Sequence, residues 1–132
     1  MKLLLGEPGS DTMVSLRDSA ERVACVAIGY VELRAGLAQA KRTGRVAGEE
    51  YATVVAGLTQ LWAAIAEVPL DQRLLIEAGN AAETHALRSY DAVHLAALQT
   101  AGPPGTIAFA CWDRELRHAA GQLGYELLPR TL

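Results

Sequence analysis

The sequence has little cysteine and no long apolar run. Its two cysteines, Cys25 and Cys111, each lie in a short apolar segment with no partner cysteine nearby. This pattern does not support a disulfide framework or a cysteine-based metal site, and it is typical of small buried thiols in a reducing, cytoplasmic setting. No stretch approaches the roughly 18 apolar residues of a membrane-spanning helix, so we expect no membrane association.

The chain also lacks an excess of basic charge. Its formal net charge is −3, and an acidic protein does not bind nucleic acid through a broad basic surface. If RNA is the substrate, a local source of positive charge must attract its phosphates. The sequence contains neither a GxGxxG nor a Walker motif, which argues against nucleotide binding through a glycine-rich loop.

The composition that is present predicts a folded α/β protein. Hydrophobic residues make up 51% of the 132 residues and charged residues 20%, which provides enough apolar material for a core. There is no repeat, low-complexity tract or linker, so we expect a single domain over residues 1–132. Strands that alternate with helices predict a parallel sheet flanked by helices.

Apolar periodicity places the elements along the chain. Continuous apolar runs at 22–28 and 106–111 predict strands buried on both faces. Apolar residues at helical spacing, together with capping residues, predict the helices between and beyond these runs. The helices are expected at 10–18, 29–40, 48–66, 71–87, 89–100 and 113–122, with short extended segments at 67–70 and 125–128.

Three acidic residues fall at or near the sheet edge where ligands bind in such folds. Glu32 lies in the first turn of the helix after the first apolar run, Asp113 comes shortly after the second run, and Asp91 opens a helix. Carboxylates gathered at one edge repel each other unless a cation lies among them. Mg²⁺ or Mn²⁺ accepts oxygen ligands, and hydrolysis of a phosphodiester is the obvious use of such a site.

The residues around these acids resemble PIN domains, and more closely the VapC-like toxins of bacterial type II toxin–antitoxin pairs. The resemblance covers essentially the whole chain in order, and YDAVHLA is its most specific part. It implies a Mg²⁺- or Mn²⁺-dependent endoribonuclease, inhibited by a cognate antitoxin and usually dimeric. The matching stretches are residues 30–35 (YVELRA), 87–96 (LRSYDAVHLA) and 109–113 (FACWD).

The resemblance also implies the roles of the acids. Glu32, Asp91 and Asp113 match the second, third and fourth acidic positions of the family. By that match they hold the metal directly or through water, and a metal-bound water attacks the RNA phosphodiester.

The start of the chain departs from the family pattern. Family members usually begin with a central strand that ends in an aspartate, and the segment from Met1 to Asp11 matches the stretch after that aspartate. We therefore expect the first strand and first acid to be absent, two strands to lack a ladder partner, and metal binding to be weakened. Our hypothesis is that translation starts upstream of Met1, and upstream DNA without an in-frame strand ending in Asp-Ser or Asp-Thr would refute it.

Simpler interpretations accompany each candidate. A glutamate in a first turn favours the helix dipole, and Asp91 and Asp113 are suited to capping helices. The local motifs favour the metal site for all three. The first alternative function is a catalytically impaired PIN-like module that only binds RNA or an antitoxin. The second is an unrelated small-ligand binder, which predicts that the three carboxylates lie far apart.

Several arginines, a histidine and a tryptophan lie close to the acids in sequence. The arginines are expected to contact phosphate, to remain solvated charges or to form ion pairs with the acids. His94 is interpreted as a packed structural histidine, and Trp112 as a residue with some capacity to stack on a base. The arginines concerned are Arg34, Arg88, Arg114 and Arg117.

Overall fold

The computed structural model describes all 132 residues, and they form six α-helices and four short β-strands. The predicted α/β class is confirmed, and every predicted element has a counterpart. None of the helices has the length and apolar character needed to cross a membrane. The helices are α1 (Ser10–Ser19), α2 (Ile28–Arg42), α3 (Tyr51–Ala63), α4 (Gln72–His85), α5 (Ser89–Ala101) and α6 (Arg114–Gln122), and the strands are β1 (Ala24–Val26), β2 (Ala66–Val68), β3 (Ala108–Ala110) and β4 (Glu126–Leu128).

The strands form two separate pairs, β1 with β2 and β3 with β4. Strands β3 and β4 run parallel, with Phe109 opposite Leu127. The ladder extends past β3, because the Cys111 amide donates to the Leu128 carbonyl at 3.0 Å. The predicted parallel pairing is therefore present between β3 and β4, which are three residues long each.

The prediction that the two apolar runs are buried on both faces is wrong. In β1 only Val26 is fully buried, and Ala24 is exposed. In β3 the side chains alternate, with Phe109 packed against the core while Ala108 and Ala110 are exposed. Successive side chains of a strand point to opposite faces, and the face of β3 opposite Phe109 is not covered.

Helix α3 is shorter than its periodicity predicts. It was expected at 48–66, and it spans Tyr51–Ala63. The residues before it form a turn. At the other end the Ala66 amide donates to the Val23 carbonyl at 2.9 Å, so Ala66 leaves the helix to pair beside β1.

The chain divides into two compact units, an N-terminal unit (Met1–Glu67) and a C-terminal unit (Val68–Leu132). In the N-terminal unit, Leu37 of α2 and Leu58 of α3 are fully buried. In the C-terminal unit, α5 packs against α4 and α6 and supplies more buried residues than any other element. The core of the C-terminal unit consists of Ala81, Leu87, Ala92, Leu95, Leu98, Cys111, Leu116, Ala119, Ala120 and Tyr125.

Candidate active site

Asp113 joins the end of β3 to the start of α6. It is the N-cap residue of α6, and its Oδ1 accepts a hydrogen bond from the Leu116 amide at 3.0 Å. The capping interpretation of Asp113 is therefore confirmed. Capping uses one carboxylate oxygen and fixes the side-chain rotamer. The second oxygen, Oδ2, lies 3.5 Å from Nη2 of Arg88, so capping leaves it able to face a cation.

Arg117 forms hydrogen bonds with the backbone next to the turn that carries Asp113. Its guanidinium donates to the carbonyls of Cys111 at 2.7 Å, Leu128 at 3.0 Å and Pro129 at 2.8 Å. Arg117 is only 9% exposed. These bonds join the ends of β3 and β4 and anchor the backbone just before Asp113. Arg117 thus pairs with backbone carbonyls and not with an acid, and the ion-pair interpretation made from the sequence is wrong for this residue.

Asp91 lies in the first turn of α5 and is half-buried. The N-cap position of this helix is occupied by Arg88, whose side chain makes no cap hydrogen bond. Asp91 instead accepts a hydrogen bond at its Oδ2 from Nε of Arg88 at 3.1 Å. The capping interpretation is therefore wrong for Asp91, and its carboxylate is engaged by a cation.

Arg88 brings the two carboxylates to one guanidinium. Its Nε contacts Asp91 and its Nη2 contacts Asp113, while the Arg88 side chain remains 72% exposed. Two carboxylates on different elements would repel each other without a positive charge between them. The ion-pair interpretation of Arg88 is confirmed, and its partners are two of the three predicted site acids.

Glu32 belongs to the N-terminal unit. It is half-buried and is the fifth residue of α2. It therefore lies just beyond the first turn of this helix, whereas the sequence predicted a position within that turn. Its charge adds to the burial that raises the pKa of the Cys25 thiol. Neither unit by itself gathers three side chains able to hold a metal ion, and the membership of Glu32 in one site with the two aspartates stays a prediction.

An open surface pocket of about 580 Å³ lies beside Asp113. Two of its lining residues are arginines, and Arg114 is exposed at the start of α6. These arginines are suited to contact phosphate groups, and the indole of Trp112 is suited to stack on a base. The pocket therefore suits a nucleic acid. The lining residues are Arg88, Trp112, Asp113, Arg114 and Glu115.

Arg34 and the two cysteines complete the candidates named from the sequence. Arg34 donates to the Tyr30 hydroxyl at 3.3 Å. Both cysteines are free, and burial is the main reason that the pKa of each thiol is raised. A thiol with a raised pKa stays protonated at neutral pH and is a poor metal ligand. The interpretation of the cysteines as small buried groups therefore holds for Cys111, while Cys25 is only partly buried.

Sequence reasoning missed two features of this region. The bridging role of Arg88 had a signal, because residues three apart on a helix face each other and Arg88 precedes Asp91 by that spacing. The inward direction of Arg117 had a weaker signal, since it lies one turn from Ala120 on the buried side of α6. Neither spacing alone reveals the second partner of Arg88 or the strand carbonyls that Arg117 binds.

A family model described as PIN domain matches residues 1–120 of the chain. The chain belongs to the PIN domain family. The predicted family and the PIN-like fold are thereby confirmed, and the acids discussed above lie on a PIN domain.

Two curated relatives match the PIN domain over its full length. They are Ribonuclease VapC45 of Mycobacterium tuberculosis (strain CDC 1551 / Oshkosh) and Ribonuclease VapC49 of Mycobacterium tuberculosis (strain ATCC 25618 / H37Rv). Each is 36% identical over 132 residues, which is 100% of this chain and 91% of the relative. The chain is thus similar to VapC ribonucleases, as its motifs predict.

Proposed function

We propose that this PIN domain is a metal-dependent endoribonuclease, the toxin of a toxin–antitoxin pair. The observation that carries the proposal is the approach of Asp91, in α5, and Asp113, at the N-cap of α6, to one guanidinium. This arrangement concentrates negative charge where a hard cation would find oxygen ligands. The similarity to two proteins named ribonucleases supports the choice of RNA as the substrate.

The donor set fits a divalent cation. Asp91 and Asp113 offer carboxylate oxygens that already face a positive group, and Glu32 is proposed as the third ligand. Mg²⁺ and Mn²⁺ prefer such ligands, whereas the neutral thiols do not compete for them. When bound, the cation supplies activation of water and neutralisation of charge at the phosphate.

The protein's own residues prepare this site. The cap bond to Leu116 orients the Asp113 carboxylate, and Arg117 fixes the backbone that carries it. Site residues held by such bonds keep their geometry without reorganising during the reaction. Because the chain carries a net charge of −3, the exposed side chains of Arg88 and Arg114 are the local source of attraction for phosphate.

The family also suggests the setting in which the enzyme acts. We propose a cognate antitoxin as its inhibitor, a homodimer as its assembly and the cytoplasm as its location. We propose further that residues 1–132 form one functional domain, with Glu32 completing the site of the two aspartates.

The test is RNA cleavage with Mg²⁺ or Mn²⁺ by the wild-type chain and by Asp91→Asn. We expect the substitution to lower the rate at least about 100-fold, because it removes a metal ligand while keeping the side chain's shape. The matched control is Asp71→Asn, since Asp71 caps α4 through the Leu74 amide at 2.8 Å. This control should cleave RNA like the wild type, and EDTA should stop both.

Cleavage that Asp91→Asn leaves unchanged would contradict the site. The catalytically impaired alternative gives a different result, in which the wild-type chain binds RNA but does not cleave it with either metal. Cleavage that persists in EDTA would show a nuclease that works without a divalent cation.

A further inference from the structure

Arg88 is held only by the two carboxylates. Its side chain is 72% exposed, and its guanidinium contacts Asp91 and Asp113 from the solvent side. Arg117 offers the contrast, because its guanidinium is buried and bound to three backbone carbonyls. Exposed ion pairs stabilise a protein little, so Arg88 is free to leave its partners while Arg117 is not.

A divalent cation and Arg88 need the same oxygens. The guanidinium contacts Oδ2 of both aspartates, and the Oδ1 of Asp113 is used by the helix cap. A cation bound at these oxygens would repel a guanidinium at hydrogen-bond distance. Cation binding at Oδ2 of the two aspartates therefore favours departure of the guanidinium.

The open pocket beside Asp113 offers a place for the displaced side chain. Arg88 already lines this pocket together with Arg114. A guanidinium binds phosphate through two parallel hydrogen bonds, which makes arginine well suited to a nucleic-acid backbone. When the Arg88 side chain moves away from Asp91 and Asp113, it thus becomes available to bind a phosphate group.

We propose that Arg88 neutralises Asp91 and Asp113 until a divalent cation displaces it, and that it then binds an RNA phosphate in the pocket. This inference rests on the proposed function. It makes Arg88 a switchable residue that couples cation binding to substrate binding. Arg88 therefore adds its phosphate contact to that of Arg114 only when the metal site is occupied.

The first measurement is Mn²⁺ affinity, followed by electron paramagnetic resonance of the free ion. Arg88→Met should bind Mn²⁺ about three- to tenfold more tightly than the wild type, because two competing ion pairs are lost. Arg114→Met is the matched control, since Arg114 lines the same pocket and forms no ion pair with either aspartate. It should gain clearly less, and Arg88→Lys should stay near the wild type.

The second measurement is binding of a short single-stranded DNA, used as a phosphate probe and checked by gel for integrity. With Mn²⁺ present, Arg88→Met should bind the probe about tenfold more weakly than the wild type, because a phosphate contact is lost. In EDTA the two proteins should bind it alike, because Arg88 then remains on the aspartates. Arg88→Lys should recover part of the loss, since it restores charge without the bidentate fork.

The outcomes separate this inference from the proposed function. Equal Mn²⁺ affinities of wild type and Arg88→Met, or an equal gain in Arg114→Met, would overturn the competition. An equal loss of probe binding with and without Mn²⁺ would overturn the switch. In either case Asp91-dependent RNA cleavage would leave the proposed function intact, whereas a wild-type chain that neither binds Mn²⁺ nor cleaves RNA would refute both.

Discussion

Two arginines of the C-terminal unit illustrate how burial decides the role of a charge. Arg117 is buried and donates only to backbone carbonyls, so its charge stabilises the junction of β3, β4 and α6. Arg88 is exposed and contacts carboxylates, so its charge is available for chemistry. A buried donor must find partners within the fold, whereas an exposed donor can exchange them with solvent or ligand.

Replacing Arg117 by Met should lower the free energy of unfolding by about 3 kcal/mol, because buried carbonyls lose charged hydrogen-bond donors. Urea unfolding followed by circular dichroism measures the change. Arg114→Met is the control, and at its exposed position we expect a change within about 0.5 kcal/mol. A loss no larger in Arg117→Met than in the control would show that its hydrogen bonds do not hold the junction.

The residues of the site were only partly predictable from sequence. The acids and their family positions could be named, because short motifs surround each one. The ion pair of Arg88 with Asp91 follows from helical spacing, but its second partner depends on the approach of α6 to α5, which is a tertiary contact. The buried direction of Arg117 likewise depends on strand carbonyls that no local pattern reveals.

At the scale of elements, Asp113 caps α6 with one carboxylate oxygen and offers the other to the proposed metal. Its Oδ1 accepts the Leu116 amide, and its Oδ2 faces Arg88. Because asparagine caps helices about as well as aspartate, a substitution can separate the two roles. The cap and the charge are therefore testable in one position.

Asp113→Asn should leave the free energy of unfolding nearly unchanged, while Asp113→Ala should lower it by about 1 kcal/mol through loss of the cap. Both substitutions should weaken Mn²⁺ binding, because both remove a carboxylate. Urea unfolding and Mn²⁺ titration of the two variants supply the comparison. Full Mn²⁺ affinity in Asp113→Asn would mean that Asp113 only caps the helix.

The order of the elements was more predictable than their limits. Helical periodicity and the caps Asp71 and Asp113 located α4 and α6 closely, since a cap is a local signal. The predicted C-terminal end of α3 was too late, because Ala66 pairs beside β1. This is a contact between segments far apart in sequence. Strand burial was overestimated for the same reason, since an apolar run does not show which face another element covers.

At the scale of the whole molecule, the proposed function requires an acidic chain to bind an acidic polymer. The net charge of −3 makes bulk attraction to RNA unfavourable. In the proposed function, the exposed arginines beside Asp113 and a cation among the carboxylates would provide local positive charge in its place. The account therefore depends on Glu32 of α2, Asp91 of α5 and the α6 N-cap residue Asp113 acting on one cation.

Mn²⁺ binding by the intact chain tests this claim most directly, using the wild type, Glu32→Gln, Asp91→Asn, Asp113→Asn and the control Asp71→Asn. The account predicts that each of the three site substitutions weakens Mn²⁺ binding at least about tenfold, while Asp71→Asn binds like the wild type. Mn²⁺ affinity that any one of the three substitutions leaves unchanged would contradict the account.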